Sequence, residues 1–190
     1  EGQDRYDIQL PADQLEFLQE IYKVNPNIIV VLVAGSSLAI NWIDEHIPAI
    51  VNAWYPGEQG GTAVADVLFG NYNPAGRLPL TYYKSLNELP SFDDYDITKG
   101  RTYKYFNGDV LYPFGYGLSY SSFEYSDLMV KDGEHEVTVA FRLKNIGKMK
   151  GEEVAQIYVR IPENGGVVPI KELKGFQRIP LKSGENHWVE

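Results

Sequence analysis

The chain has 190 residues, enough for one domain or a domain and part of another, and its 44% hydrophobic and 23% charged residues fit a globular chain with ample core. A net charge of −9, with no basic cluster, argues against a nucleic-acid partner, whose phosphates need a basic surface. Zero cysteines exclude disulfides and thiolate metal sites, and the longest apolar run is far too short to span a membrane.

In chain order, the opening "EGQDR" has neither an initiator methionine nor a leader, so it reads as an internal start. Pro11 suits the first turn of a helix, and Leu15, Leu18, Ile21 and Tyr22 recur at helical spacing. "NPN" at 25–27 ends that helix, because the residue before a proline avoids helical geometry. "IIVVLVA" (28–34) is a β-branched apolar run, as in a strand covered on both faces. A short amphipathic stretch runs from Ile40 to His46, and "AIVNAWYPG" (49–57) reads as a second buried strand. "GGTAVADVLFG" predicts a helix stopped by Gly70, and "GRLPLTYY" (76–83) a third strand. This alternation implies an α/β fold, an αβα layered sandwich with a mainly parallel sheet.

Residues 84–122 are loop-rich and dense in aromatics, the kind of long connection that is often functional. From about residue 123 the period becomes two, with strands expected in "EVTVAFRLKN", "EEVAQIYVRI", "LKGFQRIPL" and "NHWVE". An immunoglobulin or fibronectin type III-like sandwich fits, but about 65 residues follow Tyr125, where such a sandwich takes about 100. The expected division is therefore an α/β portion over 1–122 and a truncated β-sandwich over 123–190.

The chemistry-bearing residues narrow the function. "PGEQGG" lacks both the P-loop and the dinucleotide-binding glycine spacings, so a nucleotide-binding domain is disfavoured and a tight strand-to-helix turn preferred. That turn nevertheless lies at the C-terminal end of a strand, the edge where open α/β sheets bind ligands. His46, His135 and His187 share no metal-ligand spacing, so neither metal nor cofactor is expected. Ser36 and Ser37 lack a nucleophile elbow. Carboxylates remain: Asp93, Asp94 and Asp96 in "SFDDYD", and Glu1 and Asp4 around Gly2. Glycoside hydrolysis requires two carboxyls, but the residue types alone do not name the pair. On chemistry alone Glu1 reads as a solvated terminal residue, and Asp4–Arg5 as an internal ion pair.

Four stretches, "EGQDRYDIQLP", "VVLVAGSSLAINW", "AIVNAWYPGEQGGTAVADVLFGNYNPAGRLPLTYY" and "RTYKYFNGDVLYPFGYGLSYSSF", together resemble glycoside hydrolase family 3, the exo-acting β-glucosidases and β-xylosidases. The resemblance implies a TIM-barrel domain upstream in the same protein, a retaining mechanism with the nucleophilic aspartate on that barrel, and an oligosaccharide substrate. It implies that Glu1, in its Glu-Gly-x-Asp-Arg context, is the acid/base, with Asp4 and Arg5 shaping its surroundings. Relatives often carry another glutamate two residues upstream, a position before residue 1. "GSSLAINW" and "GRTYKYF" are closer to the xylosidase-type members, so xylan 1,4-β-xylosidase activity is expected, with β-glucosidase activity or a non-catalytic carbohydrate-binding module as alternatives. Alone, the chain is expected to be inactive, and a periplasmic or secreted setting is expected over a cytoplasmic one.

Overall fold

The computed structural model describes residues 7–162 and 165–190. The chain divides into two compact units, one of residues 1–64, 78–116 and 159–172, the other of residues 65–77, 117–158 and 173–190.

The first unit starts with helix α1 (Ala12–Val24), entered directly after Pro11 and left at Asn25, whose backbone is extended. Leu15, Leu18 and Tyr22 lie on the helix face turned to a core of Leu32, Leu38, Ile40, Ile43 and Ile47. Strand β1 (Ile29–Leu32), helix α2 (Asn41–His46) and strand β2 (Ala49–Asn52) follow, and β1 and β2 pair in parallel, Ile29 opposite Ala49 through Leu32 opposite Asn52. Leu32 is buried, whereas Ile29 and Val33 are exposed, contrary to the expectation from the apolar run. Helix α3 (Gly60–Leu68) forms as expected, with Gly70 following at φ +76°.

The third predicted strand is the main departure. Only Tyr82–Tyr83, strand β3, is extended and paired, and its partner β4 (Val110–Tyr112) runs antiparallel. The expected mainly parallel sheet is thus one parallel and one antiparallel pair among the described residues. The physical reason lies in "RLPL": Pro79 has no N–H to give to a ladder. Leu78 instead bonds the turn at Gly115–Tyr116, donating to the Tyr116 carbonyl at 2.8 Å and accepting from the Gly115 amide at 2.8 Å. Between β3 and β4 the loop-rich stretch contains a 3₁₀ turn (Ile97–Lys99) and a one-turn helix α4 (Thr102–Tyr105). Several aromatics in and around this stretch pack on one another. Tyr103 stacks on Phe114 at 4.2 Å, Tyr112 on Tyr116 at 5.1 Å, and Tyr83 meets Phe106 edge-on at 5.0 Å.

The second unit carries the period-two half. Strands β5 (Phe123–Asp132), β6 (Val137–Asn145), β7 (Gly151–Val159), β8 (Glu172–Leu181) and β9 (Asn186–Val189) form two sheets, β5–β6–β9 and β7–β8. Both β5 and β9 run antiparallel to β6. Alternation places Phe141 and Leu143 of β6 inward, where they meet Ala155, Ile179, Leu181 and Val189. Glu153 forms an ion pair with Arg77 at 2.6 Å and accepts a bond from Tyr125 Oη at 3.0 Å. An α/β part followed by an all-β part is therefore the architecture.

Candidate functional site

The parallel pair β1–β2 ends in two glycine-containing turns, and the chain there is unusual. Ala53 continues the ladder, its N–H donating to the Leu32 carbonyl at 2.9 Å. Trp54 then adopts φ +54°, a left-handed conformation uncommon in bulky residues and held only where the surroundings enforce it. Its ring meets Tyr82 edge-on at 6.5 Å, and the Tyr82 hydroxyl accepts from Asn52 Nδ2 at 2.9 Å. Burial drives the Tyr82 hydroxyl above its ordinary pKa, so it stays a neutral hydroxyl.

Glycines allow close approach on this edge. A Cβ on Gly35 would sit 2.5 Å from the Tyr55 ring, and one on Gly60 would sit 2.5 Å from Pro56 Cγ. In "PGEQGG", Gly60 thus relieves packing and Gly57 supplies a φ of +71°, as expected for a strand-to-helix turn without a phosphate-loop pattern. Beside this edge the Ala39 N–H donates to the Ile8 carbonyl at 2.7 Å, and Gln9 bridges Ala39 in parallel. The start of the described chain is thereby fixed next to the segment that follows β1.

Glu1, Asp4 and Arg5 all lie outside the described residues. The other carboxylates singled out in the sequence are described, and two of them serve the loop itself. Asp94 Oδ2 pairs with Lys99 at 2.7 Å, and its Oδ1 accepts the Asp96 amide at 3.1 Å. Asp96 Oδ1 accepts from the Thr98 amide at 3.0 Å and the Thr98 hydroxyl at 2.6 Å. Arg101 closes the loop from inside, with bonds to the carbonyls of Pro90 (3.0 Å), Ser91 (2.6 Å) and Asp94 (3.0 Å). The sequence reading missed this clamp; "GRTYKYF" carries the arginine but no local pattern that reveals its partners.

The Lys99 bond to Asp94 and the Thr98 bonds to Asp96 hold both carboxyls below the ordinary carboxylate pKa. A general acid must keep its proton at the working pH, so neither suits that role. Because both folded values are depressed, their contribution to loop order is present above the ordinary value of about 4 and lost as pH falls through the folded values. Amide-exchange protection of Asp96 and Thr98, corrected for intrinsic rates, should therefore be flat from neutrality to about pH 4 and decline below it. Protection that stays flat down to pH 2 would contradict the assigned bonds.

His46 stacks on Trp42 at 4.5 Å, with Nδ1 2.9 Å from the Trp42 carbonyl, and no group of three His, Asp or Glu side chains suited to a metal occurs among the described residues. The described part of the edge thus offers shape, aromatic surface and hydrogen-bonding groups, without a carboxyl pair poised for proton transfer.

Residues 1–120 match the glycosyl hydrolase family 3 C-terminal domain, and residues 153–190 the fibronectin type III-like domain. The chain belongs to glycoside hydrolase family 3. It is 45% identical over 187 residues to a xylan 1,4-β-xylosidase of Xylanibacter ruminicola, covering 97% of this chain and 21% of that protein. It is 37% identical to the β-glucosidase BoGH3A of Bacteroides ovatus, covering all of this chain and 28% of that protein. The crystal structure of a Kluyveromyces marxianus β-glucosidase in complex with glucose superposes with a TM-score of 0.92 at 34% identity, over 99% of this chain and 24% of that one. The chain therefore spans less than a third of the length of these relatives. Strands β5 and β6 precede the fibronectin type III-like match, yet β6 is bonded to β9 within it.

Proposed function

We propose that this chain is part of a retaining, exo-acting glycoside hydrolase that removes β-linked sugars from the non-reducing ends of oligosaccharides. The observation that carries the reading is similarity running through nearly the whole chain to enzymes named as β-xylosidases and β-glucosidases. Glu1 protonates the glycosidic oxygen as an aspartate on a barrel domain of the same protein attacks the anomeric carbon, so the C–O bond to the leaving sugar breaks and a glycosyl ester forms. Glu1, now a carboxylate, takes a proton from water as the water oxygen displaces the ester. The two carboxyls stand about 5–5.5 Å apart in such a mechanism. Asp4 and Arg5, in the same Glu-Gly-x-Asp-Arg stretch, are the residues proposed to shape its surroundings. The reaction needs no metal or cofactor, and the setting is outside the cytoplasm, as for the similar periplasmic β-glucosidase of Salmonella typhimurium.

β-Glucosides are the favoured substrates. The similar solved structures include β-glucosidases from yeast and from bacteria, two of them holding glucose. β-Xylosides are the second reading, supported by the 45% identity to a xylan 1,4-β-xylosidase. The test is the ratio of kcat/KM for p-nitrophenyl β-glucoside and β-xyloside, measured on the full-length protein. A ratio of about ten or more in favour of the glucoside is expected, since a contact that recognises one hydroxymethyl group is worth roughly that much. The reverse ratio assigns xylosides, and no turnover of either leaves a non-catalytic carbohydrate module.

A further inference from the structure

A cleft within the β-rich unit has the make-up of a ligand site. A cleft of about 470 Å³ opens between the Asn71–Asn73 turn, the start of β7 and the turn after β8. That size falls in the range of small-ligand clefts, about 300–1,000 Å³. One wall is the ring of Tyr72, 43% exposed. Its hydroxyl donates to Glu152 Oε2 at 3.1 Å and accepts from Arg178 Nη2 at 2.6 Å, while Arg178 Nε also binds Glu152 at 2.7 Å. The ring is therefore tethered at its far end and cannot swing freely.

The rest of the cleft is equally fixed. Behind Tyr72, the buried Asn73 side chain donates to the Lys150 carbonyl at 3.1 Å and accepts from Ser119 Oγ and the Tyr120 amide, each at 2.8 Å. Opposite, the Lys182 amide donates to Glu185 Oε2 at 2.7 Å. The ammonium groups of Lys150 and Lys182 enter no ion pair among the described residues. Pro180 and Leu181 add apolar surface.

We infer that this cleft binds a neutral pyranosyl unit of a β-glycan main chain. A pyranose offers a C–H face to an aromatic ring and a rim of hydroxyls that both donate and accept. The cleft presents the matching set: a fixed tyrosine ring, free ammonium donors and the carboxylates of Glu152 and Glu185. Glu152 is already paired with Arg178, and the remaining Lys150, Lys182 and Glu185 mix both signs, which disfavours a cation or a polyanion. Walls already held by internal bonds lose little freedom on binding. The inference rests on the proposed glycosidase reading only for the class of ligand.

Native affinity electrophoresis of the full-length protein through gels containing soluble xylan or mixed-linkage β-glucan tests it. An exo-acting site engages only chain ends, which are scarce in such polymers, so retardation reports a site for internal units. The protein should be retarded by at least one polymer. Tyr72→Ala and Lys182→Ala should each weaken that retardation at least fivefold, with p-nitrophenyl glycoside hydrolysis within twofold of the unsubstituted protein. Should Tyr72→Ala fail to fold, Lys182→Ala decides, because it leaves the Tyr72 network and the Lys182 amide bond intact. No retardation by either polymer, or unaltered retardation of the variants, overturns the site. Absent aryl-glycoside hydrolysis would instead overturn the catalytic reading, and retardation would still judge this one.

Discussion

Glu1→Gln in the full-length protein should lower kcat on unactivated β-linked oligosaccharides by about 10²–10⁴-fold, the usual contribution of a positioned proton donor. That corresponds to about 2.7–5.5 kcal/mol in activation free energy. The dependence on leaving group distinguishes an acid/base from a residue that merely supports the fold. A nitrophenolate leaves without protonation, so formation of the glycosyl ester from an aryl glycoside should be nearly unaffected. Its hydrolysis still needs a base to activate water, so the ester should accumulate and give a burst of nitrophenol. Azide needs no base and should restore turnover, yielding a glycosyl azide. The basic limb of the pH profile should disappear, because that limb reports loss of the acid's proton. In the parent protein Asp4→Asn should move this limb to lower pH, since removing a neighbouring negative charge makes Glu1 easier to ionise. Activity of Glu1→Gln within about threefold of the parent on every substrate, with no azide effect, would remove Glu1 from the reaction and return the role to a carboxylate upstream.

That candidate was legible only through resemblance. A glutamate beside a glycine at the start of a chain has no chemical signature of its own. By contrast, the elements with a period could be read from physics. Leu15, Leu18 and Tyr22 mark the buried face of α1, and Phe141 and Leu143 the inward face of β6. The "IIVVLVA" run located β1, but an apolar run reports what a strand could bury and not what packs on its faces: Leu32 is buried and Ile29 exposed. The stretch 76–83 was mistaken for a full strand because its apolar pattern was weighed above Pro79, whose missing N–H hands Leu78 to the Gly115–Tyr116 turn. The positive φ of Trp54 and the Arg101 clamp depend on contacts distant in sequence, and no local rule encodes either. "SFDDYD" is a further case in which residue types alone left the roles open. Clustered carboxylates attract a catalytic reading, yet Asp94 and Asp96 are occupied in holding their own loop.

The largest expected loss of stability comes from Asn145→Ala, at a position the sequence presents as an ordinary strand end. Asn145 is fully buried at 0% exposure and stands at the hub of the β-rich unit. Its Nδ2 donates to the carbonyls of Met149 at 2.9 Å and Leu181 at 3.2 Å. Its Oδ1 accepts from the Gly147 amide at 3.0 Å and Ser121 Oγ at 2.6 Å. The side chain thus ties the β6–β7 turn to the end of β8 and to the segment before β5. Alanine would remove all four bonds, with Ser121 Oγ keeping only its bond to the Met149 carbonyl at 3.0 Å. A stranded buried group costs about 1–3 kcal/mol, and several lose a partner here, so a total of about 3–5 kcal/mol is expected. For a unit of this size that lowers the midpoint of its thermal transition by on the order of 10–40 °C. Leu143→Ala, beside it and equally buried, should cost about 2–5 kcal/mol through lost packing alone. The two causes separate with Asn145→Asp, which keeps the shape but replaces the Nδ2 donor with oxygen. Burial against two carbonyls raises the pKa of that carboxyl in the folded state, so the folded protein favours the protonated form. The stability deficit of Asn145→Asp should therefore be small below the unfolded carboxyl pKa of about 4 and grow as pH rises towards neutrality. The deficit of Leu143→Ala should show no such dependence. Equal pH-independent deficits in both variants would mean that Asn145 fills space and that its bonds contribute little.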